Sequence, residues 1–234
     1  MNIGAILKEK TYQQVVRFRP ETDYLLLMDF TEANQDLTEE VVGDIDLFAE
    51  YINACLKINA GTNGTVLGIG GYNEHRTVYS RSKVFDSAVG EEPRRLHLGI
   101  DIWGNAGTAV YAPLDGMVHS FAYNDRYGDY GATIILYHET AYFSFHSLYG
   151  HLSLKDLSGL TEGKQIAAGE VFAHFGAPHE NGYWPPHLHF QLIMDMQGMK
   201  GDYPGVCKFS ERETYLANCP DPDSILNLLP FAKK

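Results

Sequence analysis

Residues 185–192 read "PPHLHFQL", and this stretch decides the fold that we predict. Side chains along a β-strand point alternately to the two faces of its sheet. His187, His189 and Gln191 therefore share one face, and the apolar residues between them share the other. The apolar face predicts burial in a core. The polar face predicts a groove that carries two imidazoles, with Cα atoms roughly 6–7 Å apart.

A second strand-like stretch, "RLHLGIDIW" at residues 95–103, shows the same alternation. His97, Gly99 and Asp101 share one face, and Gly99 leaves open space between the two polar side chains. A third ligand from the histidine pair of "HLH" would complete a set of two imidazoles and one carboxylate. Three protein ligands and a water form the open arrangement that is typical of catalytic zinc.

A third motif, "SLYGHLS" at residues 147–153, adds another histidine. If this stretch is a regular strand, Tyr149, His151 and Ser153 share a face. A single histidine in such a place is more often an ordinary surface residue. The three motifs follow one another in a β-rich part of the chain, and together they indicate one site more strongly than each does alone.

Residues 76–234 have the pattern of antiparallel β structure, because short apolar segments alternate with Gly, Pro, Asp and Asn. We predict a mainly β, α+β protein with an antiparallel, barrel-like sheet and a short C-terminal helix in "DPDSILNLLPFA". The predicted strands are "TVYSRSKVF", "LHLGIDIW", "AVYAP", "GMVHSFAYN", "GATIILYHE", "YFSFHSLYGHL", "QIAAGEVFAHFG" and "HLHFQLIM".

Residues 1–75 lack the pattern of residues 76–234, and they predict a small α/β segment. "YLLLMDFTEAN" reads as a strand, and "DIDLFAEYINACLKINAG" reads as an amphipathic helix. Its apolar residues include Ile45, Phe48 and Ile52 at helical spacing, and Gly61 stands where a helix would stop. We interpret this segment as a cap or docking layer on the rest of the chain.

Composition excludes several classes of function. The chain has 234 residues, 44% of them hydrophobic, and a formal net charge of -12. This charge argues against binding to nucleic acid or to an anionic membrane surface. Cys55, Cys207 and Cys219 are scattered and odd in number, which predicts reduced thiols. The sequence shows neither a signal peptide nor a membrane span, so we expect a cytoplasmic protein. Its oligomeric state stays open.

Five motifs, in this order, resemble the lysostaphin-type, or LytM-type, zinc metallopeptidases, a family of murein endopeptidase-like enzymes with a duplicated-hybrid-motif β domain. They are "HLGIDIW", "GTAVYAPLDGMVHSF", "YGHLS", "GKQIAAGEVFAHFG" and "PPHLHFQL". The resemblance covers residues 94–195. It implies a mostly antiparallel β fold with a central sheet and a groove that holds one zinc ion.

Carried over motif by motif, the resemblance implies His97, Asp101 and His189 as ligands of one Zn2+ per chain. It implies His151 and His187 as catalytic histidines that act as acid and base. The expected function is that of a zinc-dependent, metalloendopeptidase-like hydrolase, which cleaves a peptide or amide bond with metal-activated water. The resemblance does not decide between a murein peptide and a small intracellular peptide or amide as substrate.

Four more residues are candidates for the lining of the groove. Tyr183 and Trp184 are bulky and directly precede the proline pair, where many relatives have small or polar residues. Tyr149 has the strand parity of His151, and His146 lies in the same predicted strand. A further departure from the relatives is Gln191, where they commonly carry Glu.

Two alternatives use the same residues. Two histidines and one carboxylate with open positions also describe non-haem iron enzymes, although those usually place the first His and the acid two residues apart. A non-catalytic binding or regulatory module could retain the fold and a structural zinc, but closed structural sites usually have four ligands, often Cys. The identity of the metal separates the first alternative from a zinc hydrolase.

Overall fold

The computed structural model describes residues 3–8, 10–58, 64–86 and 90–234, and its architecture centres on one large sheet. Within these residues the strands are β1 Tyr24–Leu27, β2 Val66–Gly70, β3 Leu96–His97, β4 Ile100–Trp103, β5 Ala109–Tyr111, β6 Gly116–Asn124, β7 Gly131–Glu139, β8 Ser144–Leu152, β9 Gln165–Ile166, β10 Val171–His174, β11 His187–Ile193 and β12 Val206–Cys207. The α-helices are α1 Ile3–Lys8, α2 Glu39–Gly43, α3 Ile45–Ile58, α4 Arg212–Asn218 and α5 Asp223–Leu226.

The large sheet has eight strands in the order β1-β2-β4-β11-β8-β7-β6-β9. The pair β1–β2 is parallel, and every other neighbouring pair in this sheet is antiparallel. Two small antiparallel sheets, β5–β10 and β3–β12, flank it. The predicted fold class, mainly β with an antiparallel sheet and few helices, is confirmed.

Strand β11 lies between β4 and β8, and this position brings the three sequence motifs together. His187 is the cross-strand partner of Trp103, and His189 is the partner of Asp101 in β4. On its other side, His189 faces Gly150 in β8. Residues that are about 90 positions apart in the chain therefore become direct neighbours in the sheet.

The apolar face of β11 is buried as the alternation predicts. Leu188, Phe190 and Leu192 are each fully inaccessible to solvent. They belong to a large apolar core that also includes Ile100 and Ile102 of β4. Burial of a side chain of this size contributes roughly 1.5–3 kcal/mol. This burial fixes which face of the strand the histidines occupy.

Residues of the N-terminal part extend the same sheet. Gly68 and Ile69 of β2 pair with Trp103 and Ile102 of β4. Strand β1 then adds to the outer edge of β2. The segment thus shares backbone hydrogen bonds with the strand that carries Asp101. The boundary between residues 1–75 and the rest stays a prediction.

Helix α3 packs its apolar stripe against the protein interior as the sequence predicts. Phe48 and Ile52 are buried. The side chain of Asp44 caps the helix, because its Oδ1 accepts hydrogen bonds from the backbone N–H groups of Asp46 and Leu47 at 2.8 and 3.0 Å. The predicted stop at Gly61 lies outside the described residues.

One predicted strand is absent, and two others are each divided between two sheets, since "LHLGIDIW" forms β3 and β4 and "QIAAGEVFAHFG" forms β9 and β10. "TVYSRSKVF" forms two short 3₁₀ helices, Val78–Arg81 and Lys83–Phe85, instead of a strand. Ser82 separates them, and its Oγ accepts a hydrogen bond from the backbone N–H of Val84 while it donates one to the carbonyl of Tyr127. The bond with Val84 is a local side-chain bond of the kind that competes with strand pairing. The predicted short C-terminal helix is present as α5.

Two further expectations concern the whole chain. Among the described residues, Cys55, Cys207 and Cys219 form no disulfide, as the prediction of reduced thiols requires. Among the described residues, no helix combines the length and the apolar character that a membrane span requires.

Phe30 ties the N-terminal part to the sheet, so we expect its truncation to be costly. Its ring lies 5.4 Å from that of Trp103 and 6.0 Å from that of Phe48, and it is fully buried. Phe30→Ala should lower the free energy of unfolding in urea by about 3–5 kcal/mol. The control Phe209→Ala removes a ring that is 55% exposed and should change it by less than about 0.5 kcal/mol. Equal effects of the two variants would contradict this account.

A buried histidine outside the site predicts sensitivity to acid. His138 is inaccessible to solvent, and its Nδ1 donates to the carbonyl of Asp115 while its Nε2 lies 2.6 Å from Ser147 Oγ. Burial lowers the pKa of His138 to about 4, although the bond to Asp115 opposes the shift.

The sign of this effect on stability follows from proton binding. Between the unfolded-state pKa of about 6.5 and the folded-state value of about 4, the unfolded chain binds more protons. His138 therefore contributes stability above this window, and about 3 kcal/mol of it is lost as the pH falls through the window. The free energy of unfolding of His138→Gln should differ less from that of wild type as the pH falls through this window. Urea unfolding at several pH values measures it, and a difference independent of pH would contradict the prediction.

Candidate active site

Three potential ligand atoms converge at the centre of the sheet. His97 Nε2 lies 2.9 Å from His189 Nδ1. Asp101 Oδ1 lies 3.1 Å from His189 Nδ1 and 3.4 Å from His97 Nε2. All three residues are buried. Within the described residues, they form the one group of three or more His, Cys, Asp or Glu side chains with the spacing of a metal site.

Hydrogen bonds on the outer side of each imidazole set the direction of its free lone pair. His97 Nδ1 lies 2.9 Å from the carbonyl oxygen of Gly71, and His189 Nε2 lies 2.9 Å from Oε1 of Gln191. Both oxygens accept hydrogen bonds, so the ring nitrogens facing them carry the protons. The unprotonated nitrogen of each ring then points to the shared centre. Outer partners of this kind orient histidine ligands of metals.

The protonation states of these groups suit a cation. Burial, followed by the charge of Arg76, lowers the pKa of His97 to about 3. Burial acts to raise the pKa of Asp101, but its interactions with His97 and Arg76 hold that pKa well below the usual range. At neutral pH the centre therefore presents the carboxylate of Asp101 and the Nε2 lone pair of His97, each about 3 Å from Nδ1 of His189. Such acceptors repel one another without a cation between them, and the donor set fits zinc.

Two further imidazoles stand beside this centre. The rings of His151 and His187 are 4.1 Å apart and tilted by 33°. His151 Nδ1 donates to the carbonyl of Asn181 at 2.8 Å, and His187 Nδ1 donates to that of Pro185 at 2.7 Å. Neither Nε2 has a hydrogen-bond partner in the part of the chain that the structure describes. Each ring therefore has an Nε2 lone pair available for a proton.

Packing holds both rings in place and keeps them neutral. His187 stacks on the indole of Trp103 at 4.0 Å with an interplanar angle of 16°. Burial lowers the pKa of His187 to about 4, against the opposing charge of Asp101. Burial and the neighbouring His187 also hold the pKa of His151 well below its usual range. A neutral imidazole accepts a proton, as a general base must.

One cavity of about 320 Å³ joins the ligand group to the two imidazoles. Aromatic residues of the N-terminal part, Phe30 and Phe48, close one side of it together with Trp184. Residues 202–206 also line it. Five polar side chains that line the cavity are between 1% and 6% exposed, those of His97, Asp101, His151, His187 and His189. The N-terminal segment thus contributes directly to the walls of the site.

The predicted lining residues separate in the structure. Trp184 lines the cavity, and its ring lies 6.2 Å from that of His151. Tyr183 is 46% exposed, and it is not among the residues that line the cavity. His146 lines a different groove on the sheet, where its ring lies 4.8 Å from that of His119. The expectation that Tyr183 and His146 border the site is therefore wrong.

The prediction also places Tyr149 wrongly in the lining of the groove, because the backbone near it is irregular. It is fully buried in the apolar core, with its ring 5.3 Å from that of Phe190. The backbone of His151 has φ of 61°, and the register between β7 and β8 shifts between Ala132 and Ile134. A bulge and a left-handed residue interrupt the alternation of a strand. His151 therefore faces the cavity while Tyr149 faces the core.

Sequence reasoning missed Arg76 and Tyr130. Arg76 is 2% exposed, and its Nη1 lies 2.5 Å from Asp101 Oδ2. Tyr130 donates from its hydroxyl to the carbonyl of Tyr203, and its ring lies 5.1 Å from that of His189. Arg76 stands in a polar stretch, where an arginine is usually exposed, and "DRYGDYG" reads as a turn. No pattern in the sequence distinguishes either residue.

The fold and the site define a β-rich domain with a two-histidine, one-carboxylate centre and two accessory histidines. Residues 95–200 match the family model described as "Peptidase family M23". Residues 95–200 are therefore similar to an M23 peptidase domain, as the sequence motifs predict.

Two curated proteins are similar to this chain. The "L-Ala--D-Glu endopeptidase" of Bacillus subtilis (strain 168) is 28% identical over 157 residues, which is 67% of this chain and 46% of that protein. The "DD-carboxypeptidase/endopeptidase Mpg" of Neisseria meningitidis serogroup B is 31% identical over 134 residues, which is 55% of this chain and 28% of that protein. The chain thus spans less than half of the length of these relatives.

Two solved structures are similar at low TM-scores. The catalytic domain of the prophage-encoded M23 protein EnpA from Enterococcus faecalis has a TM-score of 0.38 and 20% identity, over 58% of this chain and 88% of that one. The catalytic domain of lysostaphin from Staphylococcus simulans has a TM-score of 0.38 and 19% identity, over 71% and 96%. The fold class therefore rests on the observed strands and on the family match, and not on these two structures.

Gly99 leaves the space that the ligand group occupies. A Cβ atom at this position would lie 2.6 Å from His189 Cε1 and 2.9 Å from the carbonyl oxygen of Phe190. Gly99→Ala should therefore displace the imidazole of His189 and weaken the affinity of the ligand group for added zinc at least about tenfold. The control is Gly43→Ala, where a Cβ meets nothing within 4 Å. Zinc titration against a chelator measures both, and unchanged affinity in Gly99→Ala would contradict the ligand geometry.

Proposed function

We propose that this protein is a zinc-dependent hydrolase that cleaves a peptide or amide bond. The observation that carries the proposal is the placement of two neutral imidazoles, His151 and His187, in the same cavity as a converging His-Asp-His group. Each of the two imidazoles has its Nδ1 bound to a backbone carbonyl and its Nε2 free. The M23 match supports the same class of reaction.

His97, Asp101 and His189 would hold one zinc ion per chain, through Nε2, Oδ1 and Nδ1 respectively. A zinc ion at such a centre supplies a Lewis acid and lowers the pKa of a bound water towards 7. The chain contributes three ligands, which leaves room in the coordination shell for water and for the substrate carbonyl.

The two accessory histidines would move the protons of the reaction. One Nε2 takes a proton from the attacking water as the new C–O bond forms. When the C–N bond breaks, a histidine Nε2 returns a proton to the leaving amine nitrogen, so that the products are a carboxylic acid and an amine. Proton transfer of this kind contributes about 10²–10⁴-fold to the rate. The stacking of His187 on Trp103 and the bond of His151 to Asn181 hold the rings for this task.

The proposed substrate is a peptide with a bond of the kind cleaved in peptidoglycan. Support comes from the relatives, whose names are those of an L-Ala--D-Glu endopeptidase and a DD-carboxypeptidase/endopeptidase. A small peptide or amide is the second candidate, because the N-terminal residues Phe30 and Phe48 close one side of the cavity. Hydrolysis of free stem peptides and of intact peptidoglycan, measured side by side, separates the two. The cytoplasmic location stays a prediction.

The test of the metal site is the metal content of the purified protein, compared between wild type and Asp101→Ala. Near-stoichiometric zinc that is absent from the variant is the expected result, because the carboxylate supplies one of three ligands. Iron in wild type would favour non-haem iron chemistry instead. Wild type that takes up no metal, even after zinc is added, would favour a non-catalytic binding module.

Variants of the two kinds of histidine should separate metal binding from catalysis. His189→Ala should abolish zinc binding and with it all hydrolysis. His151→Ala and His187→Ala should keep one zinc per chain and lose about 10²–10⁴-fold in kcat. The control is His179→Ala, an exposed histidine outside the cavity. Elemental analysis and peptide hydrolysis measure the two properties, and equal zinc content in wild type and His189→Ala would refute the ligand assignment.

A further inference from the structure

The two oxygens of Asp101 have different partners. Oδ1 faces the ligand group, 3.1 Å from His189 Nδ1 and 3.4 Å from His97 Nε2. Oδ2 accepts a hydrogen bond from Arg76 Nη1 at 2.5 Å. Both side chains of this ion pair are only 2–3% exposed. Oδ1 is therefore available to the proposed metal, while Oδ2 is bound to a buried guanidinium.

Arg76 is itself held in place from several directions. Its Nε donates to Glu74 Oε2 at 2.6 Å, and its Nη1 also donates to the hydroxyl of Tyr79 at 3.3 Å. Its Nη2 donates to the carbonyl of Gly70 at 3.4 Å. The guanidinium carbon lies 5.0 Å from the centre of the Phe30 ring. A planar guanidinium held in this way fixes the plane of the carboxylate that it binds.

The bond to Arg76 affects whether Asp101 can coordinate a metal through one oxygen or through both. A free carboxylate can bind a cation through one or both oxygens. If both oxygens of Asp101 coordinated the metal, the second would occupy space that a water or a substrate carbonyl needs. The hydrogen bond from Arg76 competes with a metal for Oδ2 and holds that oxygen towards the guanidinium.

We propose that Arg76 is a positioning residue that keeps Asp101 a one-oxygen ligand and so keeps the metal open to water and substrate. This inference rests on the metal site of the proposed function. It assigns a role to a residue that lies outside residues 95–200, the part of the chain that matches the family model. Glu74, which holds Arg76, and Phe30, whose backbone N–H donates to Glu74 Oε1 at 3.3 Å, also lie outside that part.

The test uses the whole 234-residue chain with cobalt(II) in place of zinc, because the visible absorption of cobalt(II) weakens as its coordination number rises. The main variant is Arg76→Met. The double variant Glu74→Met/Arg76→Met also removes the partly buried carboxylate of Glu74, which would lose its partner in Arg76→Met. The control Arg19→Met removes an arginine from another buried carboxylate, that of Asp23, away from the cavity.

We expect Arg76→Met to keep one metal per chain, with an affinity at least equal to that of wild type because a neighbouring positive charge is gone. Its cobalt absorption should weaken. Its kcat for the peptide substrate should fall about 10–100-fold, with KM changed less than about threefold. Arg76→Lys should recover part of the absorption and of kcat, since a point charge can still bind Oδ2. Arg19→Met should match wild type.

Two results would overturn the inference. One is an Arg76→Met protein with the absorption and kcat of wild type. The other is loss of metal together with loss of folded structure in both Arg76→Met and the double variant, which would make Arg76 a structural residue only. A third result, wild type that binds neither cobalt nor zinc, would refute the metal site itself and with it the proposed function. This result is distinguishable from the other two because it needs no variant.

Discussion

The pairing of β11 with β4 on one side and β8 on the other is the constraint on which the rest of the structure depends. It places His189 opposite Asp101 and beside Gly150, and it places His187 against Trp103. Because strand side chains alternate, one choice of register decides every contact at the centre. The fully buried apolar face of β11 makes a slip of one residue prohibitive, since it would turn the histidines into the core.

Burial of so many polar groups is costly unless each finds a partner. The protein meets this cost with backbone carbonyls: those of Gly71, Asn181 and Pro185 bind the outer nitrogens of three histidines. The amide of Gln191 does the same for His189. As a result the remaining lone pairs all face one cavity. The same arrangement that stabilises the buried imidazoles also prepares them for a cation and for proton transfer.

Sequence reasoning succeeded where regular strands carry the site and failed where the backbone departs from regularity. The faces of Asp101, His187 and His189 follow from alternation within β4 and β11, whereas His97 lies in the separate strand β3. Tyr149 does not, because the left-handed backbone of His151 and a bulge in the neighbouring strands break the period of two. Between the two 3₁₀ helices, Ser82 makes one local hydrogen bond, with Val84, and one with Tyr127, 45 positions away, which no local pattern predicts.

By itself, the sequence determined the β-rich fold, the three motifs and the residues that gather at the centre, because apolar alternation and turn residues are local properties of the chain. Only the tertiary structure decided how the N-terminal part joins the site. Arg76 reaches Asp101, and Phe30 and Phe48 reach the cavity, because β2 adds to the edge of β4. A buried ion pair between residues 25 positions apart depends on that long-range strand pairing, which leaves no periodic trace in the sequence.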